Sequence, residues 1–304
     1  MIGVEVTSAE GAAYVDGEIV SIEQARIPLL DTGLTRSDVT YDVVGVWEGA
    51  FFRLDDHLDR FARGCERLRL RPPLERDAIA RVLTEIVAVS GLRAAYVEVM
   101  CTRGIPPSGS RDPRTYENRL YAYAIPYVWI LAPDEADRGM DAVIVRLTRR
   151  IPAESVDPTV KNFHWGDLTR GLFEAYDRGG RHPILLDHDG FITEGPGYNV
   201  FAVHDGEIHT PAAGVLEGIT RRTVLELAED HGIGVTVADV DETTLRSASE
   251  VFATSTAGGV MAVTSLDGES VGDGSPGSVT RELRDAYWKA HSDARYTTPV
   301  DYPE

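Results

Sequence analysis

Three dipeptides, Asp16-Gly17, Glu48-Gly49 and Asp205-Gly206, each stand between short runs rich in β-branched and aromatic residues. Such pairs reach the positive-φ conformations of tight hairpins, which commits these parts of the chain to antiparallel strands. Ala13 to Val15 pairs with Glu18 to Val20 about the first turn, Val39 to Trp47 with Ala50 to Leu54 about the second, and Asn199 to Val203 with Glu207 to Thr210 about the third. Segments of helical period lie between them. Asp55 or Asp56 caps a helix running to about Leu70 and ended by Pro72-Pro73, and Ile79, Val82, Leu83, Ile86 and Val87 face inward on the next, which Gly91 stops.

Ala95 to Thr102 reads as a two-faced strand. Ala95, Val97, Val99 and Cys101 form a plain buried side, and Tyr96, Glu98 and Met100 point the other way. A loop rich in Pro, Gly and Ser, Gly104 to Pro113, precedes a strand from Leu120 to Ile130. Ala132-Pro133-Asp134-Glu135 then reads as a linker. The second half predicts strands Ala142 to Thr148, Pro183 to Leu186, Val235 to Val240, Val251 to Ser255 and Met261 to Leu266. Its helices are one with Leu168, Leu172, Phe173 and Tyr176 on one side, one opening at Gly218-Ile219-Thr220 with Val224, Leu225, Leu227 and Ala228 inward, a short one near Leu245, and one from Val279 to His291. The expectation is two α/β domains, residues 1–131 and 139–304, with residues 132–138 as the linker and Lys161 in the second.

Composition narrows the partners. A formal charge of -19 argues against nucleic acid and anionic membrane, and it fits either a high-salt environment or a genome whose codons favour arginine. There is no run of about twenty apolar residues, and the amino terminus lacks a leader signature. Cys65 and Cys101 are isolated, as in a reducing cytosol, so a cytoplasmic protein is expected.

Lysine has almost vanished: only Lys161 and Lys289 remain. Lys161 lies in Asp157-Pro158-Thr159-Val160-Lys161-Asn162-Phe163-His164-Trp165-Gly166-Asp167-Leu168. Lysine can lose its proton and bond to a carbonyl carbon, whereas arginine stays protonated. Pyridoxal phosphate asks for such a lysine, a carboxylate for its pyridine nitrogen and donors for its phosphate. Glu194, in Thr193-Glu194-Gly195-Pro196-Gly197, offers the carboxylate. The helix start at Ile219 and Thr220, the hydroxyls of Thr254-Ser255-Thr256-Ala257-Gly258-Gly259, and Arg60 offer the donors. Taken singly, each has a plainer explanation as a solvated lysine, a cap or a turn; their combination is what carries weight. His182, Asp187, His188 and Asp189 bracket a hairpin turn without ligand spacing, so no metal is expected.

These segments, with Leu216-Glu217-Gly218-Ile219-Thr220-Arg221 and His57-Leu58-Asp59-Arg60, resemble class IV, fold type IV, pyridoxal-phosphate aminotransferases over nearly the whole chain. The resemblance implies two α/β domains with the cofactor between them and a homodimer whose active sites borrow loops from the partner. It implies Lys161 as the Schiff-base lysine, Glu194 on the pyridine nitrogen, and Arg60, Ile219, Thr220, Ser255 and Thr256 about the phosphate. Ser37-Asp38-Val39-Thr40-Tyr41-Asp42-Val43 and Tyr96-Val97-Glu98 are most similar to (R)-selective amine transaminases, which implies a substrate pocket lined by Tyr41, Val43, Tyr96, Glu98 and Trp165. Two positions depart from that subgroup. Arg36 replaces a histidine before Ser37-Asp38, and Gly109 replaces a carboxylate-binding loop arginine, with Arg111 two residues on. Branched-chain and D-amino-acid transaminases are therefore the alternative. An aminodeoxychorismate lyase on the same fold and a non-enzymatic acidic binding protein are the others.

Overall fold

The computed structural model describes residues 10–303; the first nine residues, which hold the segment read for a leader, and Glu304 lie outside the described residues. The chain forms two compact units. The first opens with strands β1 (Ala12–Val15) and β2 (Glu18–Ser21), helix α1 (Thr32–Arg36), strands β3 (Val39–Trp47) and β4 (Ala50–Phe52), helices α2 (Leu54–Arg67) and α3 (Arg76–Ser90), and strands β5 (Ala95–Thr102) and β6 (Arg119–Pro126). The second holds β7 (Met140–Arg149), α4 (Gly166–Asp177), β8 (His182–Leu186), β9 (Glu194–Gly195), β10 (Tyr198–His204), β11 (Glu207–Pro211), α5 (Ile219–Asp230), β12 (Val235–Ala238), α6 (Glu242–Ser247), β13 (Glu250–Ser255), β14 (Gly259–Leu266), β15 (Glu269–Ser270) and α7 (Ser278–Ala290). The last strand, β16 (Thr297–Pro299), returns to the first unit and pairs with β4.

The three hairpins form as their turns predict: β1 with β2, β3 with β4 and β10 with β11, each antiparallel. Asp16, Glu48 and Asp205 and the glycines after them all take positive φ. In the first unit the described strands make a seven-stranded sheet ordered β16-β4-β3-β5-β6-β1-β2. Side-chain alternation gives it two unlike faces. Val44, Val46, Ala95, Val97, Val99, Cys101, Leu120, Ala122 and Ala124 join Leu58, Phe61, Leu83, Ile86 and Val87 of α2 and α3 in one apolar core. The opposite face carries Tyr41, Val43, Tyr96, Glu98, Met100 and Tyr123, with Val43 and Tyr123 directly paired to Glu98. The second unit is a mixed sheet along β12-β11-β10-β13-β14-β7-β8, with β15 beside β14 and β9 beside β10. The β11–β12, β14–β7 and β7–β8 pairs are parallel.

Several boundaries and one face differ from expectation. The strand expected from Leu120 to Ile130 stops at Pro126, which pairs with Ala95 at the end of β5 and has no N–H to carry the ladder on. The strand expected to reach Val240 stops at Ala238, the one expected to reach Leu54 stops at Phe52, and the helix expected to be capped by Asp55 or Asp56 starts at Leu54 with Arg53 at its cap, which puts both aspartates in its first turn. The buried side of α4 is Leu168, Gly171, Glu174 and Ala175, while Phe173 and Tyr176 lie outside, packed edge-on against each other. Glu174 is buried because β7 bulges between Ile144 and Arg149. Amides released there, Arg146 N at 2.6 Å and Leu147 N at 2.9 Å, donate to its carboxylate.

The units also divide differently from the expected domains. Val160–Phe163, with Lys161, and the residues from Asp293 onward belong to the first unit. The physical reason is edge pairing. β4 covers only the Val46–Trp47 end of β3, so the Thr40 end has an open edge that Asn162 takes up in an antiparallel bridge.

Candidate active site

In the first unit, the start of β3 fixes the lysine. The Lys161 carbonyl accepts the Tyr41 amide at 3.1 Å and the Thr40 hydroxyl at 2.9 Å. Helix α2 comes close at this point because residue 64 is glycine; a Cβ there would sit 2.5 Å from Thr40 Oγ1. Two hydrogen bonds to one carbonyl leave the Lys161 side chain free to project while its backbone is held. Its Nζ lies 4.6 Å from the centre of the Tyr41 ring, which packs on Phe163 at 4.7 Å between centroids. The carboxyl of Glu98 accepts the Tyr123 hydroxyl at 2.9 Å and the Tyr96 hydroxyl at 3.4 Å. Burial pushes the Glu98 carboxyl up to about 7, against the opposing pull of the two hydroxyls and the Lys161 ammonium.

Arg60 lies on α2, toward the helix side of β3. Its guanidinium forks onto Asp42, Nε to Oδ2 at 2.7 Å and Nη2 to Oδ1 at 2.8 Å, and His57 Nδ1 approaches the same carboxylate at 2.8 Å. Burial works to raise the Asp42 pKa, yet Arg60 and His57 hold it far below the usual carboxylate range. Burial depresses the His57 pKa, and the Asp42 carboxylate opposes it.

In the second unit, β9 and β10 place Glu194 opposite Asn199, and β13 places Thr254 on Asn199's other side. Glu194 Oε2 accepts the Leu216 amide at 2.9 Å, while Asn199 Nδ2 donates to the Leu216 carbonyl at 2.9 Å. Arg150 Nη2 donates to Glu194 Oε1 at 2.9 Å and Arg150 Nη1 to Asp167 Oδ2 at 2.6 Å. Burial opposes the charge on Arg150, but the two carboxylates outweigh it and raise its pKa. Helix α5 begins two residues past Leu216 at a glycine cap with no side-chain cap bond. A Cβ on Gly218 would fall 2.2 Å from Asn199 Oδ1, so only glycine lets the helix start so close to β10. Ile219 and Thr220 form its buried first turn. Ser255, at the end of β13, is buried and receives the Ala257 amide at 3.1 Å; Thr256 is half-buried.

Trp165, at the cap of α4, packs on Val145, Leu168 and Leu185. Arg36 ends α1 and is exposed, as is Arg111 in the loop before β6. Thus Lys161, Tyr41, Val43, Tyr96 and Glu98 gather in the first unit, Arg60 lies in the same unit on the helix side of β3, and Glu194, Ile219, Thr220, Ser255, Thr256 and Trp165 belong to the second. Four partners escaped sequence reasoning: Asp42, Tyr123, Arg150 and Asp167. Asp42 had one usable signal, an acid inside a strand of apolar alternation. Arg150, within Thr148-Arg149-Arg150, had none.

The residues fit pyridoxal phosphate. A carboxylate braced by Arg150 and an amide suits a protonated ring nitrogen, and an uncapped glycine-led helix start beside hydroxyls suits a dianion. Thr254 Oγ1 is buried beside Asn199 with no partner among the described residues, a donor still to be used near that helix start.

The family model "Amino-transferase class IV" matches residues 40–266. The chain is 30% identical over 276 residues to a "Putative branched-chain-amino-acid aminotransferase" of Methanocaldococcus jannaschii, covering 90% of this chain and 94% of that one. It is 27% identical over 279 residues to the "D-alanine aminotransferase" of Staphylococcus haemolyticus, covering 91% and 96%. Among solved structures, a T.th. branched-chain amino acid aminotransferase with pyridoxamine 5'-phosphate superposes at a TM-score of 0.89 with 27% identity, covering 96% of this chain and 99% of that one. The PLP form of the Thermobaculum terrenum branched-chain aminotransferase gives 0.86 with 26% identity, covering 96% and 99%. With the family model spanning most of the chain and the fold shared from end to end, this protein belongs to the class IV aminotransferases, pyridoxal-phosphate-dependent enzymes of fold type IV.

Proposed function

We propose that the enzyme is an (R)-amine transaminase, moving an amino group from an (R)-amine to a 2-oxo acid in two half-reactions, as a cytoplasmic homodimer. The observation that carries this reading is the company of Lys161. The positions around Glu98 on its sheet face are Val43, Tyr96, Met100 and Tyr123, apolar or hydroxyl-bearing, with no arginine to receive a substrate carboxylate. Arg36 and Arg111 are exposed. Branched-chain or D-amino-acid transamination is the second reading, favoured by the names of the relatives above.

Bound pyridoxal phosphate supplies a ring that accepts the electron pair left when the substrate Cα loses its proton. Lys161 would hold the cofactor covalently through Nζ, and its freed amine would carry the proton taken from the donor Cα to the cofactor. Glu194, braced by Arg150, keeps the ring nitrogen protonated. Arg60, the Ile219 and Thr220 amides, Ser255 and Thr256 bind the phosphate, and Tyr41, Val43, Tyr96 and Trp165 orient the donor.

Lys161→Ala is expected to lose the visible absorbance of covalently held cofactor and at least about a thousandfold of the half-reaction rate. Following that absorbance with (R)-1-phenylethylamine, its (S) enantiomer, D-alanine and L-leucine in separate runs tests the substrate class. The (R)-amine is expected to react fastest; L-leucine or D-alanine ahead of it would establish the second reading.

A further inference from the structure

Glu98 sits where a carboxyl is costly. It is 5% exposed, mid-strand, and lies on the same sheet face as Tyr41, over whose ring Lys161 Nζ rests. Both hydroxyl donors, Tyr123 and Tyr96, reach the same oxygen, Oε2. Oε1 receives no hydrogen bond among the described residues, and Lys161 acts on the carboxyl through its charge without a direct ion pair. A group whose only task was structural would be cheaper as glutamine, which accepts the same two hydroxyls with no charge to desolvate.

We propose that Glu98 is a charge filter, selecting amino donors that carry no carboxylate over amino acids. This inference rests on the placement of the reacting donor at Lys161 proposed above. A donor joined there meets the one acidic side chain on that part of the face, and a carboxylate on the donor is a second negative charge in a poorly hydrated site. The groups facing Glu98 are Tyr96 on its own strand, Tyr123 on β6, Tyr41 on β3 and Lys161 on the segment bridged to β3, with Asp42 acting from the other side of β3. Because burial raises the carboxyl to about 7, the filter is on in alkaline solution, where it weakens the 2-oxo acid of the second half-reaction as well, and it is relaxed in mild acid, where the protonated form no longer repels an anion.

The test uses the holoenzyme and an unreactive carboxylate, 4-methylpentanoate, with its neutral amide as control. Affinities are measured by calorimetry at about pH 6 and about pH 8.5, between which the probe stays ionised. The carboxylate is expected to bind on the order of tenfold more weakly at the higher pH, the amide equally at both, and Glu98→Gln is expected to abolish the carboxylate's shift. In the half-reaction, the same variant is expected to lower the preference for (R)-1-phenylethylamine over L-leucine by a similar factor. A flat carboxylate affinity in the parent enzyme overturns the filter without recourse to a variant, as does a shift that persists in Glu98→Gln. The binding arm decides the filter whichever donor reacts fastest; L-leucine outrunning the amine in the parent would count against the amine reading alone.

Discussion

At the scale of single residues, Glu98 and Arg150 carry charges that the surrounding fold must offset. Glu98 rises from the ordinary value of 4.5 to about 7, so the folded state holds a proton that the unfolded chain has released. Stability from that proton is fully present below the unfolded value and disappears as pH rises through about 7. Glu98→Gln is therefore expected to gain on the parent by about 3 kcal/mol between mildly acidic and alkaline solution, read from urea unfolding at several pH values. Arg150 presents the opposite case. It joins Glu194 to Asp167, and Arg150→Met leaves two buried carboxylates facing each other. A loss of about 3–5 kcal/mol is expected, together with weaker retention of the cofactor in dialysis. A variant that kept both stability and cofactor would show that Glu194 needs no brace. Lys161 and Glu194 stood out in the sequence because rarity and turn chemistry are local. Arg150 did not, since nothing near residue 150 announces a partner forty-four residues away.

Among the elements, β3 and β7 repay attention for what they leave unpaired. The Thr40 end of β3 is uncovered by β4 and captures the Lys161 segment instead. Hydrophobic pattern identified β3 to the residue but said nothing about which chain would take its second edge. The bulge in β7 is likewise absent from a pattern that reads as an unbroken strand. Its consequence is Glu174, an acid that helical periodicity would place outside and that bulge amides draw inward. Glu174→Ala is expected to cost about 3 kcal/mol, because two part-buried amides lose a charged acceptor. Thermal unfolding measures it, and a loss below about 0.5 kcal/mol would mean that water satisfies both amides. Phe173 and Tyr176 illustrate the same limit: their spacing suits an inward face, yet α4 turns Leu168 and Ala175 inward.

For the whole molecule the governing quantity is a formal charge of -19 carried with only two lysines. Arginine pairs such as Arg246 and Arg178 with Asp267 take up part of the acidic excess. The remainder repels itself, and salt screens repulsion between exposed charges within about 10 Å at 0.1 M. The midpoint of thermal unfolding is expected to rise by several degrees when KCl goes from about 0.1 M to about 1 M. An unchanged midpoint would assign the arginine-rich composition to coding bias. Light scattering is expected to return twice the 33.2 kDa chain mass, and a monomer would remove the homodimer from the proposal.

The sequence by itself determined the hairpins, most helix and strand limits and the two-faced β5, because each depends on residues a few positions apart, and it pointed to the class of chemistry through a combination of short motifs spread along the chain. Turn dipeptides, alternation and the near absence of lysine are facts of the chain alone. Tertiary structure alone decided the company those residues keep: Lys161 with Tyr41 and the edge of β3, Arg60 with Asp42, Glu194 with Arg150. Edge pairing and buried charge are settled by which polar groups would otherwise be left without a partner. That choice depends on segments far apart in the chain, and it is made only when they meet.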